Sequence, residues 1–203
     1  WEGITSSNQI LDMLRALEQN ESIKAKIAEV EVMRSFYYYL LMDNYGDAPY
    51  LTTAIQPEDF LPTKIKREAI YDSIVTTVES NLHYLKAIDN KYLATRYMGF
   101  SLLAKLYLNA EVYTGTPQWA KAGQYCDSVL AGNYTLAANV LEPFKTANEK
   151  SSEIIFSIPY DEDNFTGFRI HMRSLHYQSN LTFDMVAGPW NGFAVVPTFF
   201  DTY

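Results

Sequence analysis

Two segments that combine tyrosine, glycine and proline constrain the fold of this chain more than any other feature. Residues 45–49 read Tyr-Gly-Asp-Ala-Pro and residues 113–117 read Tyr-Thr-Gly-Thr-Pro. Glycine permits the left-handed backbone that ends a helix, and proline removes the donor that would continue it. Tyr45 and Tyr113 are 68 positions apart, which is twice the roughly 34-residue period of tetratricopeptide helix pairs. The spacing predicts stacked helix pairs.

Apolar residues at helical spacing support this architecture in the first two thirds of the chain. Pattern and composition change after residue 133, where the run 153–159 is typical of a β-strand and 160–188 is expected to be loop. A turn at 188–193 precedes the start of a helix at 197. The sequence therefore predicts a mostly α fold, a tetratricopeptide-like helix-pair superhelix with an irregular, partly β segment after about residue 133. The predicted helices span 4–19, 23–45 (with Tyr45 on the apolar face), 63–85, 94–113 and 118–130.

Composition excludes several classes of function. The formal net charge of −8 argues against a nucleic-acid partner, because phosphate binding needs a basic face. The single cysteine, Cys126, excludes an intramolecular disulfide and a cysteine-based zinc site, and its apolar neighbours indicate a buried, inert thiol. No apolar stretch reaches the roughly 18 residues of a membrane span. Because the chain starts at Trp1 without methionine and ends at Tyr203 in an aromatic cluster, we interpret it as a piece of a longer protein.

The sequence gives little support to catalysis. It contains no Gly-rich phosphate loop and no G-x-S-x-G motif, and His171 and His176 lack the i, i+4 spacing of a helical metal pair. The acidic residues Asp161, Glu162, Asp163 and Asp184 are the best candidates for paired carboxylates. Neighbouring carboxylates in a turn usually point apart into water, and the EF-hand spacing is absent. We therefore predict a protein that is not an enzyme and that holds no cofactor or metal; a calcium ion bound by loop oxygens stays open as the alternative.

The irregular part of the chain is richer in residues suited to binding. Loops on a rigid scaffold are where binding residues concentrate. Aromatic faces stack on sugar rings, while amide and guanidinium groups donate hydrogen bonds to hydroxyls. Packing of the same aromatics against the helices stays open as the alternative for each of them. The predicted ligand-binding residues are Tyr160, Arg173, Tyr177, Trp190, Asn191 and Phe193.

Six stretches of the chain occur in an order that is typical of one family. Residues 1–8 fit W-x-x-I-x-x-x-N, and 29–49 read Glu-x-x-x-x-Arg-Ser-Phe-Tyr-Tyr-Tyr-Leu-Leu-Met-Asp-Asn-Tyr-Gly-Asp-Ala-Pro. Shorter stretches follow at 104–109, 119–122, 152–156 and 190–200. Together they resemble the SusD/RagB family of Bacteroidetes nutrient-binding outer-membrane lipoproteins. The departures, Val32-Met33 for Phe-Leu and Ser35 for alanine, are compatible with a core.

The resemblance implies that 1–203 is part of one SusD-like domain, with a helical scaffold over 1–132 and candidate ligand loops over 133–203. It further implies non-catalytic binding of oligosaccharide or polysaccharide at the cell surface, for delivery to a TonB-dependent outer-membrane transporter. The lipid anchor would lie outside this chain. No ligand-contacting residue is carried over from the family. The alternative function is a tetratricopeptide-type adaptor that binds a protein and no glycan.

Overall fold

The computed structural model describes residues 1–161 and 163–202, and it divides the chain into two compact units. The first unit is Trp1–Ser157 and the second is Ile158–Tyr203. Glu162, one of the acidic residues considered above, and Tyr203 lie outside the described residues. Within the described part, regular structure is mostly helical, as the sequence predicts.

The first unit consists of helices that pack in pairs. α1 packs against α2, α2 against α3, and α4 against α6, as expected of tetratricopeptide-like pairs. One short antiparallel ladder, of β1 (Ala48–Pro49) with β2 (Lys64–Ile65), spans the connection from α2 to α3. The helices are α1 Glu2–Arg15, α2 Glu21–Tyr45, α3 Arg67–Asn81, α4 Arg96–Leu108, α5 Ala110–Thr114 and α6 Trp119–Leu130.

The predicted helix ends are confirmed at both glycines. Gly46 has φ 73° and its N–H donates to the Met42 carbonyl at 2.9 Å. Gly115 adopts the left-handed conformation with φ 77°, and its N–H donates to the Glu111 carbonyl at 2.8 Å. Both angles lie where a Cβ would cause strain. The glycine in each of the two tyrosine–glycine–proline segments therefore ends its helix through its backbone conformation.

Buried tyrosines form a large share of the core between these helices. Tyr38, Tyr71 and Tyr107 are among the largest fully buried side chains. Tyr107 also stacks parallel on Tyr125 with 5.6 Å between ring centroids, and both hydroxyls donate to Glu79, at 2.6 and 2.9 Å. Each ring fills a helix–helix seam while its polar tip finds a partner, which is how buried tyrosine is normally accommodated.

The segment that follows α2 is tied to α1 and α2 by buried polar side chains. Arg34 donates to the Asn8 side chain at 2.7 Å and to the Thr52 carbonyl at 3.0 Å. The Tyr38 hydroxyl donates to the Leu51 carbonyl at 2.8 Å and accepts from the Leu51 N–H at 2.7 Å. Asn8, Arg34 and Tyr38 belong to the stretches that carry the family resemblance, so those stretches help to fix the segment after α2.

Several helices are shorter than the sequence predicts. α1 ends at Arg15 instead of residue 19, and α3 begins at Arg67 instead of residue 63 because Lys64–Ile65 pair in β2. α3 ends at Asn81, whose side-chain amide donates to the Thr77 carbonyl at 2.8 Å, so residues 82–85 form turns. The predicted helix 94–113 is interrupted at Asn109, whose amide donates to the Lys105 carbonyl at 3.0 Å. In both places the asparagine side chain competes with the backbone for a helical carbonyl.

Three predictions about side-chain surroundings and strands are wrong. Cys126 is exposed, because α6 packs mainly on α4 and buries only a narrow stripe centred on Ala122. Tyr45 is exposed too, because it is the last residue of α2 and projects beyond the core. The run 153–159 forms no strand in the described structure; a strand needs a paired neighbour, whereas this run makes an isolated backbone bond from Ser157 to Lys91 at 2.7 Å.

The described part of the second unit contains the short helices α7 (Ile170–Ser174), α8 (Ser179–Phe183) and α9 (Pro197–Phe200). α7 and α8 lie where the sequence predicts loop. The helix start predicted at Pro197 is confirmed, with proline at its first position. Five-residue helices carry too few apolar repeats to be recognised from periodicity. Almost all large apolar side chains of this unit are exposed.

Candidate ligand-binding turn

The turn 189–193 is fixed to α7 by main-chain hydrogen bonds. The Trp190 N–H donates to the Met172 carbonyl at 2.6 Å, and the Asn191 N–H donates to the Leu175 carbonyl at 3.2 Å. The N–H groups of Gly192 and Phe193 both donate to the Arg173 carbonyl, at 2.7 and 2.8 Å. The side chains of the turn are therefore presented by a backbone that is held at four successive positions.

Local sequence explains why the chain turns here. Asn191 has φ 50°, in the left-handed region that asparagine adopts more readily than other non-glycine residues. Pro189 is the buried residue of the turn and fixes its own φ. A Cβ at Gly188 would lie 3.4 Å from the Tyr177 carbonyl oxygen, an ordinary contact distance, so the backbone before the turn passes close to the segment that follows α7.

Two arginines of α7 and its N-terminal flank lie over the aromatic rings of the turn. The Arg169 guanidinium carbon is 5.8 Å from the Trp190 ring centroid, and that of Arg173 is 5.9 Å from the Phe193 ring centroid. These are cation–π distances. Trp190 is nevertheless 51% exposed and Phe193 57% exposed, so each ring retains surface that a ligand can cover.

The two predicted tyrosines lie at the margins of this cluster. The Tyr177 ring packs on the His176 ring with 4.1 Å between centroids, just after α7. Tyr160 is 5.5 Å from the Phe168 ring, and Phe168 in turn stacks on His171 of α7 at 5.9 Å. The structure thus brings Arg173, Trp190, Asn191 and Phe193 together, and it connects Tyr160 to α7 through Phe168.

Arg169 is the residue that the sequence-based site list omits. The signal that identifies it is its separation of four positions from Arg173, which places both guanidinium groups along one face of a helical turn. That signal depends on α7 being a helix, and the sequence predicts loop there.

The surroundings of Asp161 do not suit acid–base catalysis. The Asp161 carboxylate accepts from the N–H groups of Asp163 at 2.8 Å, Asn164 at 2.5 Å and Phe165 at 3.2 Å. These bonds, led by that of Asn164, hold the pKa of Asp161 below its usual value. A general acid needs a raised pKa instead. Among the described residues, no group of three or more His, Cys, Asp or Glu side chains is placed to hold a metal ion.

The first unit consists of helices packed in pairs. The second displays aromatic and cationic side chains on a hydrogen-bonded turn. These features define a helical-repeat scaffold protein with a candidate binding surface on a loop. Residues 1–108 match the SusD-like family model described as "Starch-binding associating with outer membrane". The chain belongs to the SusD-like family.

Individual relatives agree with this assignment. The chain is 30% identical over 173 residues to the starch-binding protein SusD of Bacteroides thetaiotaomicron, an alignment covering 78% of this chain and 29% of SusD. A SusD-like crystal structure from Bacteroides fragilis has TM-score 0.66 and 19% identity, covering 79% of this chain and 32% of that one. A laminarin-binding SusD-like protein has TM-score 0.64 and 22% identity, covering 76% and 35%. The chain spans under a third of the length of the curated relatives it matches.

No helix in the described part of the chain combines the length and the apolar character that crossing a bilayer requires.

Proposed function

We propose that the chain is part of a non-catalytic glycan-binding protein of the cell surface, which delivers oligosaccharide to a TonB-dependent outer-membrane transporter. Membership of the SusD-like family supports binding of starch-type or other glycans, and the family description supports association with the outer membrane. Attachment would use a lipid anchor outside this chain. The observation that carries the proposal within this chain is the turn 189–193, which presents Trp190 and Phe193 on a fixed backbone.

The mechanism is reversible capture. The free faces of Trp190 and Phe193 stack on the apolar faces of sugar rings, which removes apolar surface from water. The Asn191 amide and the Arg173 guanidinium donate hydrogen bonds to hydroxyls at the ring edges. Because the backbone of the turn is already hydrogen-bonded to α7, little ordering is needed when the ligand arrives, and this limits the entropic cost of binding.

Isothermal titration of the intact protein tests the proposal. The panel comprises maltoheptaose, laminarihexaose and an oligogalacturonate, so that neutral and acidic glycans are both represented. A Trp190→Ala/Phe193→Ala variant is expected to lose roughly 10-fold or more in affinity for the bound glycan. Trp119→Ala is the matched control, because Trp119 is also more than half exposed but lies on α6.

The competing function, a tetratricopeptide-type adaptor, is favoured by one observation. The outer surface of α6 exposes Trp119, Cys126 and Leu130 along one side of the helix, and an apolar helix face of this kind suits a protein partner. If no glycan of the panel binds while the purified transporter partner does, glycan capture is rejected in favour of the adaptor. Reducing-sugar release that depends on Asp161, Asp163 or Asp184 would instead establish a hydrolase.

A further inference from the structure

A second surface with the chemistry of a small-molecule site lies on the helical unit. It is a cleft of ≈ 390 Å³ between the start of α1 and the end of α2, within the range of roughly 300–1,000 Å³ that is usual for ligand sites. Its eight lining residues are Trp1, Gly3, Ile4, Tyr37, Leu40, Leu41, Asn44 and Tyr45. We call it the α1/α2 cleft.

Aromatic rings dominate the walls of the α1/α2 cleft. Trp1 is 57% exposed and Tyr45 is 78% exposed, so both rings present open faces. The Tyr37 ring is half-buried and lies directly over Gly3, where an added Cβ would come within 2.7 Å of the ring carbon Cε2. Glycine at position 3 therefore allows the Tyr37 ring to settle against the backbone of α1, while buried Ile4 closes the floor.

Polar groups in the cleft are uncharged and available. The Asn44 amide nitrogen donates to the Leu40 carbonyl at 2.7 Å, which leaves its Oδ1 as an acceptor facing away from that bond. Within the described residues, the hydroxyls of Tyr37 and Tyr45 and the indole N–H of Trp1 have no hydrogen-bond partner. All eight lining side chains are uncharged, so no group in the walls would compensate a charged ligand brought out of water.

From this combination we infer that the α1/α2 cleft binds a neutral oligosaccharide, as a site separate from the turn 189–193. A sugar ring has an apolar face for Trp1 and Tyr45 to stack on and hydroxyls for the Asn44 and tyrosine groups. The two surfaces differ in charge. The positively charged side chains of Arg169 and Arg173 lie over the rings of the turn, whereas the side chains that line the cleft are all uncharged. The inference rests on the proposed function and adds a neutral-glycan subsite to it.

Hydroxyl-radical footprinting of the intact protein tests the inference at the level of single side chains. Trp1 and Tyr45 are expected to react in the free protein and to become protected by maltoheptaose or laminarihexaose, but not by the oligogalacturonate. Trp119 serves as the internal control and keeps its reactivity. Protection of Trp1 should persist in the Trp190→Ala/Phe193→Ala variant.

Two substitutions link protection to the geometry of the cleft. Tyr45→Ala removes an exposed ring with no effect on the core. It is expected to raise the glycan concentration that gives half-maximal protection of Trp1 (the protection midpoint) by about 5-fold. Gly3→Ala displaces the Tyr37 ring and is expected to raise the protection midpoint by a similar factor. Tyr92→Ala, an exposed tyrosine remote from α1 in sequence, is the matched control and should leave the midpoint unchanged.

The possible results separate the two proposals. If glycan binds in a Trp190- and Phe193-dependent way and Trp1 and Tyr45 stay reactive, the cleft site is rejected and the proposed function stands. If Trp1 and Tyr45 are unreactive before any glycan is added, the cleft is covered by protein, and the site is likewise rejected. If the panel shows no binding at all, both proposals fail together.

Discussion

Glu31 and Arg34 form an ion pair, at 2.5 Å, in which the two side chains are only 8% and 4% exposed. Glu31 also pairs with Arg15 of α1, while Arg34 continues to Asn8 and to the Thr52 carbonyl. The buried Glu31–Arg34 pair thus connects α1, α2 and the segment after α2. Both residues belong to the 29–49 stretch that resembles the family pattern, so this stretch has a structural role in holding the three segments together.

Arg34→Met is expected to destabilise the protein by about 3–5 kcal/mol, because it removes the buried partner of the Glu31 carboxylate, which keeps only the partly exposed Arg15, and the donor to Asn8 and Thr52. Urea unfolding followed by circular dichroism measures the change. Lys24→Met is the matched control, since the Lys24–Glu21 pair lies on the surface of the same helix, and exposed pairs contribute little. Equal effects of the two substitutions would show that burial of the pair is not what makes it stabilising.

The unfolding free energy is expected to fall as pH rises from about 10 to about 12. Burial raises the pKa of Tyr38 to about 12, with the hydrogen bond to Leu51 opposing part of that shift. Tyrosines of the unfolded chain release their protons near pH 10, so between these values the unfolded state is favoured by proton release. Urea unfolding at pH 9, 10, 11 and 12 measures the slope. Tyr38→Phe should make it shallower, and an unchanged slope would exclude Tyr38 as a contributor.

The structure also explains which features of the fold are predictable from the sequence. Helix ends at Gly46 and Gly115 follow from local backbone chemistry, and α2 lies within two residues of its predicted bounds. Burial of Cys126 and Tyr45 was predicted wrongly because periodicity identifies an apolar face but not whether a neighbour covers it. The prediction of a strand at 153–159 is wrong for a related reason, since strand pairing depends on residues that are distant in sequence.

The candidate site is less predictable than the scaffold. Residue chemistry alone selects Trp190, Asn191 and Phe193, and the structure places all of them on one turn. Their arrangement over α7 is not readable from the sequence, because a five-residue helix has no detectable period and the contacts between 169–175 and 190–193 are not local. The role of Tyr160 and Tyr177 in ligand binding stays a prediction.

Acid is expected to destabilise the start of α3. The Asp47 carboxylate accepts from the Arg67 N–H at 2.9 Å and from the Lys66 ammonium at 3.1 Å. These bonds, the backbone one first, lower the pKa of Asp47 below 3.8. A lowered folded-state pKa contributes stability above the unfolded value, and this is lost as pH falls through the folded value. Asp47→Asn should therefore flatten the stability profile below about pH 4.

Thermal unfolding between pH 2.5 and 6 measures this profile. Asp127→Asn is the control, because Asp127 is an exposed carboxylate on α6 without a side-chain hydrogen bond in the described structure. A wild-type profile that Asp47→Asn leaves unchanged would contradict a role for Asp47 in holding the start of α3.

Asn191 allows the backbone of the candidate turn to be separated from its ligand chemistry. Its φ of 50° suits asparagine or glycine and disfavours a β-branched residue. Asn191→Val is expected to strain the turn by about 1–2 kcal/mol, whereas Asn191→Gly keeps the conformation and removes only the amide. Hydrogen exchange at the Gly192 and Phe193 N–H groups, which donate to the Arg173 carbonyl, measures the integrity of the turn directly.

The two variants then predict different outcomes in a glycan titration. With Asn191→Gly, protection of the two N–H groups should persist while glycan affinity falls by roughly 5-fold, because one hydrogen-bonding side chain is lost. With Asn191→Val, protection and affinity should fall together, since the rings of Trp190 and Phe193 are no longer held in place. If Asn191→Gly binds glycan as tightly as the parent, Asn191 acts through its backbone conformation alone, and binding depends on the aromatic rings and the arginines beside them.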